Sequence, residues 1–112
     1  MAVADATAAL GVSALVVMPE SAPAQSIDRC RAAGAEVSLT PDMPSAFTLL
    51  AELVAAGRTP IHPFDDRDVI AAQGTVGLEL IEDAPEITDV IVSIGGGGLI
   101  SGVAAAAWLG LP

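Results

Sequence analysis

The residues best suited to chemistry stand together late in the chain, as Ile94-Gly-Gly-Gly-Gly-Leu-Ile-Ser-Gly102. The run follows the β-branched stretch Asp89-Val-Ile-Val-Ser-Ile94 and precedes a helical pattern from Leu99 to Leu109. Consecutive glycines let a backbone turn freely and come within contact distance of a ligand. The first amides of the following helix lack intrahelical acceptors, and the helix dipole places partial positive charge on them. A strand-loop-helix of this kind is an anion cradle at the carboxyl edge of a parallel sheet. It does not satisfy the dinucleotide fingerprint. Counting from Gly95 the sixth position is Ile100, and counting from Gly96 it is Ser101, where GxGxxG needs glycine. The nearest preceding basic residue is Arg67, so backbone amides, with Ser101, would hold the anion locally. That suits the single phosphate of a bound cofactor. A tight, ligand-free turn is the plainer alternative, although four glycines exceed what one turn requires.

A second polar cluster is His62-Pro-Phe-Asp-Asp-Arg-Asp68. Its three aspartates, Asp65, Asp66 and Asp68, fit the start of a helix, where carboxylates complement the dipole, better than they fit a metal site. His62 reads as a hydrogen-bonded structural histidine rather than a ligand. As the sole histidine, it leaves no room for a histidine-rich zinc site. Cys30 lies between Arg29 and Arg31, which could activate a thiol, but a packed helical cysteine is the reading preferred. The four basic residues are all arginines, against fourteen acids, for a net charge of −10. With no lysine in the sequence, Schiff-base catalysis by this chain alone and the P-loop are both excluded. The negative charge argues against nucleic acid and anionic membrane surfaces as partners. A single cysteine and an N-terminus with an early aspartate and no basic segment suggest a reducing, cytoplasmic setting. The uncharged run from Val90 to Pro112 is interrupted by its glycines and does not read as a membrane span.

The elements that must position these residues alternate. Ala2–Leu10 reads as a helix stopped by Gly11, and Ala14–Met18 as a strand buried on both faces and closed by Pro19. Ser21-Ala-Pro23 is expected to cap a helix that ends at Gly34. Glu36–Leu39 is a second strand. A helix after Pro44-Ser45 runs to Gly57, with Phe47, Leu50 and Val54 at helical spacing. Thr59–His62 is a weaker strand. Asp65 or Asp66 caps a helix whose Val69, Ile70, Gln73, Val76, Leu80 and Ile81 share a face, and whose Gly74 and Gly77 require a close neighbour. Asp89–Ile94 is the strand most strongly expected, and the helix after the glycines is apolar all round and so expected to be buried. The alternation predicts an α/β fold, a parallel sheet with flanking helices. An apolar terminal helix with no strand after it reads as part of a larger domain.

The combination of His62-Pro-Phe-Asp-Asp66, Val69-Ile-Ala-Ala-Gln-Gly-Thr-Val-Gly-Leu-Glu79 and Val90–Gly102 resembles the threonine/serine dehydratases. These are pyridoxal-phosphate enzymes of the tryptophan-synthase-β type (fold type II), a group that includes serine racemase. Val16–Pro23 and Arg31–Val37 fit the same pattern. The resemblance covers nearly the whole chain. It implies that Gly95, Gly96, Gly97, Gly98 and Leu99 bind the phosphate of pyridoxal 5′-phosphate, and that His62, Pro63 and Phe64 lie near the active site. The family's Schiff-base lysine and its Ser-Ser-Gly-Asn-His loop precede the matched region, and the segment meeting the pyridine nitrogen follows it. Ser93 stands where a proline is common, and Ala24 where a lysine is frequent.

The resemblance therefore implies an internal fragment of an incomplete fold-type-II structure. Residues 1–66 would form most of the small domain, and residues 67–112 the crossover helix and phosphate-loop unit of the large domain. The implied parent reaction is β-elimination of water from threonine or serine, giving a 2-oxo acid and ammonia, in an enzyme expected to be a homo-oligomer when complete. No catalytic or metal-binding residue is assigned to this chain, which is expected to be inactive alone. Serine racemase, another lyase of the same fold, or a non-catalytic α/β phosphate-binding module are the alternatives.

Overall fold

The computed structural model describes residues 1–110, with side chains described as far as Trp108. The order of elements is α1 (Ala2–Leu10), β1 (Leu15–Pro19), α2 (Ala24–Ala32), β2 (Glu36–Thr40), α3 (Met43–Ala55), α4 (Arg67–Asp83) and α5 (Gly98–Gly110). They fall into two compact units, Met1–Pro60 and Ile61–Pro112.

In the first unit β1 and β2 pair in parallel, with Leu15 opposite Glu36 and Pro19 opposite Thr40. Parallel strands need a crossover, and α2 supplies it. Pro19 can end β1 because it has no N–H to give, and its carbonyl instead accepts from Ala22 N at 2.9 Å. The ladder is extended beyond both ends by Glu36 N to Ala14 O at 2.9 Å and Glu20 N to Thr40 O at 2.7 Å. The core is small and aliphatic. Ala4 of α1, Cys30 of α2 and Ala35 are buried together, with Ala14, Val16, Met18, Ala33 and Val37 packed around them. Cys30 is therefore the packed helical cysteine expected, fully enclosed and without a disulfide.

Several local expectations hold. Gly11 closes α1 in the left-handed conformation, and Gly34, at φ 83°, follows α2. Asp42 caps α3 by accepting from Ser45 N at 2.8 Å, and hydrogen bonding from Ser45, its side chain first and its N–H second, holds the Asp42 carboxyl below the ordinary carboxylate pKa. Others need correction. Ser21 does not cap α2, since the turn closed by Pro19 places Pro23 at the N-cap position with no side-chain bond. Strand β1 is half-buried along its length rather than buried, as each strand of a two-stranded sheet is an edge. On α3 the buried residue is Ala46, with Leu49, Leu50 and Leu53 half-buried, whereas Phe47 is 38% exposed and Val54 is also on the surface. The helix packs on its Ala46–Leu53 stripe, about one position rotated from the expected face.

In the second unit α4 and α5 lie against each other through glycine. Gly74 and Gly77 are buried on α4, and Gly102, Val103 and Ala106 are buried on α5. A methyl group on Gly77 would stand 2.9 Å from Ala106 Cβ, and one on Gly74 would stand 3.2 Å from Gly102 O. A methyl on Gly102 would collide with Ile70 O and approach Gly74 N to 2.6 Å. The close neighbour that the two α4 glycines required is therefore α5. Val76 and Leu80 leave the expected α4 face and are exposed. Helix α5 is buried on one face only, with Trp108 87% exposed; the side chain of Leu109 lies outside the described residues.

The expected strands Thr59–His62 and Asp89–Ile94 are not strands among the described residues. A strand exists only as a pair, and neither segment has a ladder partner there. Ile91 is 100% exposed and Ile94 is 70% exposed, so the apolar pattern of the second segment is real but uncovered. No described helix is long and apolar enough to cross a membrane.

Candidate phosphate-binding site

The site is built within the second unit from the turn before α4, the face of α4 and the loop that opens α5. Asp66 accepts from Asp68 N at 2.8 Å and Val69 N at 3.1 Å, so it is the aspartate that caps α4. Just ahead of it, His62 Nδ1 accepts from Asp65 N at 2.8 Å and, at 3.4 Å, from Phe64 N. The imidazole thus acts as an acceptor that closes a tight turn, the structural role expected for His62. Its ring also meets that of Phe64 edge to face, with centroids 4.6 Å apart and planes at 84°.

Phe64 in turn forms one wall of the glycine loop. A side chain at Gly96 would fall within the Phe64 ring, and one at Gly98 would come within 2.9 Å of Phe64 Cα and O. Between them Gly97 adopts φ 91°, a conformation that L side chains rarely take. Added atoms at Gly95 or Gly97 would meet nothing within 4 Å, so the loop is pressed against Phe64 on one side and open elsewhere. The first intrahelical bond of α5 runs from Ser101 N to Gly97 O at 3.0 Å. Helix geometry therefore leaves the N–H groups of Gly97, Gly98, Leu99 and Ile100 without intrahelical acceptors.

These amides border an open cleft of about 230 Å³, lined by Pro63, Phe64, Gln73, Ser93, Gly95–Gly98, Leu99 and Ile100. All five residues singled out in the sequence, Gly95, Gly96, Gly97, Gly98 and Leu99, line this one cleft, and so do Pro63 and Phe64. His62 borders it only through Phe64, and Ser101 is not in the lining. Two polar side chains were not foreseen there, Gln73 and Ser93. The signal for Gln73 was present, since it is a polar residue on the face of α4 that also carries Gly74 and Gly77. A cleft bordered by several helix-start residues, with no cationic side chain in its lining, suits one small anion held by main-chain amides. The residues present fit a phosphate group. The loop carries no side chain from Gly95 to Gly98, and the donors that helix geometry leaves free there are main-chain N–H groups.

The whole chain, residues 1–112, matches the family model described as pyridoxal-phosphate dependent enzyme. An L-threonine ammonia-lyase from Geobacter sulfurreducens is 44% identical over 99 residues, covering 87% of this chain and 25% of that protein. Among solved structures, the processed form of threonine deaminase isoform 2 from Solanum lycopersicum superposes with a TM-score of 0.85 at 40% identity, over 96% of this chain and 32% of that one. A pyridoxal 5′-phosphate-dependent aspartate racemase gives a TM-score of 0.86 at 36% identity, over 95% and 32%. The chain thus spans about a quarter to a third of the length of these relatives. By the match along its full length and by the fold it shares with these proteins, the chain belongs to the pyridoxal-phosphate dependent enzymes.

Proposed function

We propose that this chain anchors the phosphate of pyridoxal 5′-phosphate within a threonine/serine dehydratase. One observation carries the reading: Gly97 turns at φ 91° to open α5, while Gly96 and Gly98 are held against Phe64, so that four free amides border one cleft. Those amides would hold the phosphate without any cationic side chain. The dipole of α5 adds to their attraction for a dianion. Bound this way, the cofactor supplies an electron sink for a substrate amino acid. The contribution of this chain is orientation, because a phosphate fixed at several points limits how the ring can turn. Phe64 and Pro63 line one side of the cleft. In this reading residues 1–66 are most of the small domain, and residues 67–112 carry the crossover helix and phosphate loop of the large domain.

The choice of dehydration rests on the threonine ammonia-lyase and threonine deaminase among the relatives. The parent reaction would release water and ammonia from threonine or serine and leave a 2-oxo acid. A second reading, an amino-acid racemase, is supported by the aspartate racemase of equal structural likeness. In the complete protein, 2-oxo acid formation from L-threonine favours the first, and inversion without 2-oxo acid favours the second. With no lysine among the 112 residues, this chain alone has no side-chain amine to bond the cofactor. Borohydride treatment with pyridoxal phosphate should then leave no stable adduct on any side chain, the α-amine of Met1 being the one primary amine the sequence offers.

The test of the anchoring role is titration of the chain with pyridoxal phosphate and with inorganic phosphate. Gly97→Val should abolish binding of both, since valine cannot take the conformation of Gly97. Unchanged binding would place the ligand elsewhere, and no binding of pyridoxal phosphate by the unchanged chain would support a cofactor-free module.

A further inference from the structure

We infer that Phe64, braced by His62, is a positioning residue that sets the height of the glycine loop and so its affinity for phosphate; this rests on the phosphate-anchoring role proposed above. The glycines on either side of Gly97 both abut Phe64. Its ring fills the space a side chain on Gly96 would need, with Cδ2 2.6 Å from that position, and its Cα and O lie 2.9 Å from the corresponding position on Gly98. The residue that turns the chain into α5 is thus held at both neighbours by one wall. That wall is itself fixed. His62 Nδ1 accepts the Asp65 and Phe64 amides, the two rings meet edge to face, and Asp66 begins α4 at once by capping it.

Shortening Phe64 would remove the wall but none of the N–H groups that meet the anion. The amides of Gly97–Ile100 would then have to be ordered during binding, which lowers affinity for a ligand held by several of them together. The effect should fall on the phosphate group and spare the rest of the cofactor. It should also depend on Gly96, because a methyl at that position would occupy the space the ring vacates.

The test measures dissociation constants of the full chain for inorganic phosphate, pyridoxal 5′-phosphate and pyridoxal by titration calorimetry. Phe64→Ala should weaken the two phosphate-bearing probes by about tenfold, on the order of one lost charge-assisted hydrogen bond, and weaken pyridoxal by much less. Phe64→Tyr should restore binding. Gly96→Ala alone should weaken phosphate at least as much, whereas Phe64→Ala with Gly96→Ala should weaken it by less than the product of the two single losses. Phe64→Leu provides the same comparison if the alanine variant does not fold. Phosphate affinity within about twofold of the unchanged chain in Phe64→Ala or Phe64→Leu, or strictly multiplicative losses in the double variant, overturns the inference but leaves the anchoring role standing. Failure of the unchanged chain to bind either phosphate probe overturns both.

Discussion

The two units of this chain are held together by different means. In the first, a parallel ladder from Leu15 to Thr40 and a core of Ala4, Cys30 and Ala35 join elements through ordinary side-chain burial and strand hydrogen bonds. In the second, no strand is paired among the described residues, and the helices meet main chain to main chain at Gly74, Gly77 and Gly102. The first unit can absorb a change of one methyl group by shifting side chains. The second has little side-chain volume to shift where its helices touch. The cleft belongs to the second unit, so the part of the chain proposed to hold the phosphate is also the part with the least tolerance at its helix contact.

That contrast is broken most directly at Gly102. Gly102→Val drives atoms into Ile70 O and Gly74 N and should destabilise α4 and α5 by about 3 kcal/mol, the upper end of overpacking costs. Amide exchange should rise in α4 and α5 while β1 and β2 stay protected. Equal loss of protection in both units would mean that they unfold as one and that the division has no energetic content. In the first unit, Cys30→Ser places a hydroxyl where nothing is exposed and should cost about 1–3 kcal/mol in urea denaturation, with phosphate affinity unchanged. A smaller effect is expected from Asp66→Ala, which removes the cap of α4 and should lower stability by about 1 kcal/mol. It should also weaken phosphate binding slightly, because the turn that carries Phe64 adjoins that cap.

The smallest effect is a pH dependence in the first unit. Hydrogen bonds from the Ser45 side chain and from Ser45 N hold the Asp42 carboxyl below its ordinary value of 3.8. Its folded pKa is thus lower than its unfolded one. The stability it contributes is present above 3.8 and is lost as the pH falls through the lower folded value. Asp42→Asn keeps a capping oxygen that does not titrate, so its acid unfolding should be shallower than that of the unchanged chain. Identical acid profiles would show that the cap contributes nothing through its charge.

Much of this was legible in the residues because it is decided locally. The stops at Gly11 and Gly34, the Asp66 cap and the turn into α5 depend on neighbours a few positions away. The need for a close partner at Gly74 and Gly77 was also legible, since glycine in a helix weakens it unless something approaches closely. Three things were not. Asp89–Ile94 has a strand's composition, but pairing depends on a neighbour that no local pattern specifies. Phe47 and Val54 have helical spacing with Leu50, yet spacing defines a stripe without saying which side of it the sheet will meet. The role of Phe64 against Gly96 and Gly98 is a contact between distant segments. Composition marked both segments as unusual and could not show that they touch.

On the proposed reading, the free amides opening α5 hold a phosphate. That role is tested most directly by following the backbone N–H resonances of the chain by NMR during titration with inorganic phosphate. Saturable shifts confined to Gly95–Ile100 and the Phe64 turn, absent in Gly97→Val, are expected. Shifts centred on the arginines of α2, or an unchanged response in Gly97→Val, would contradict it.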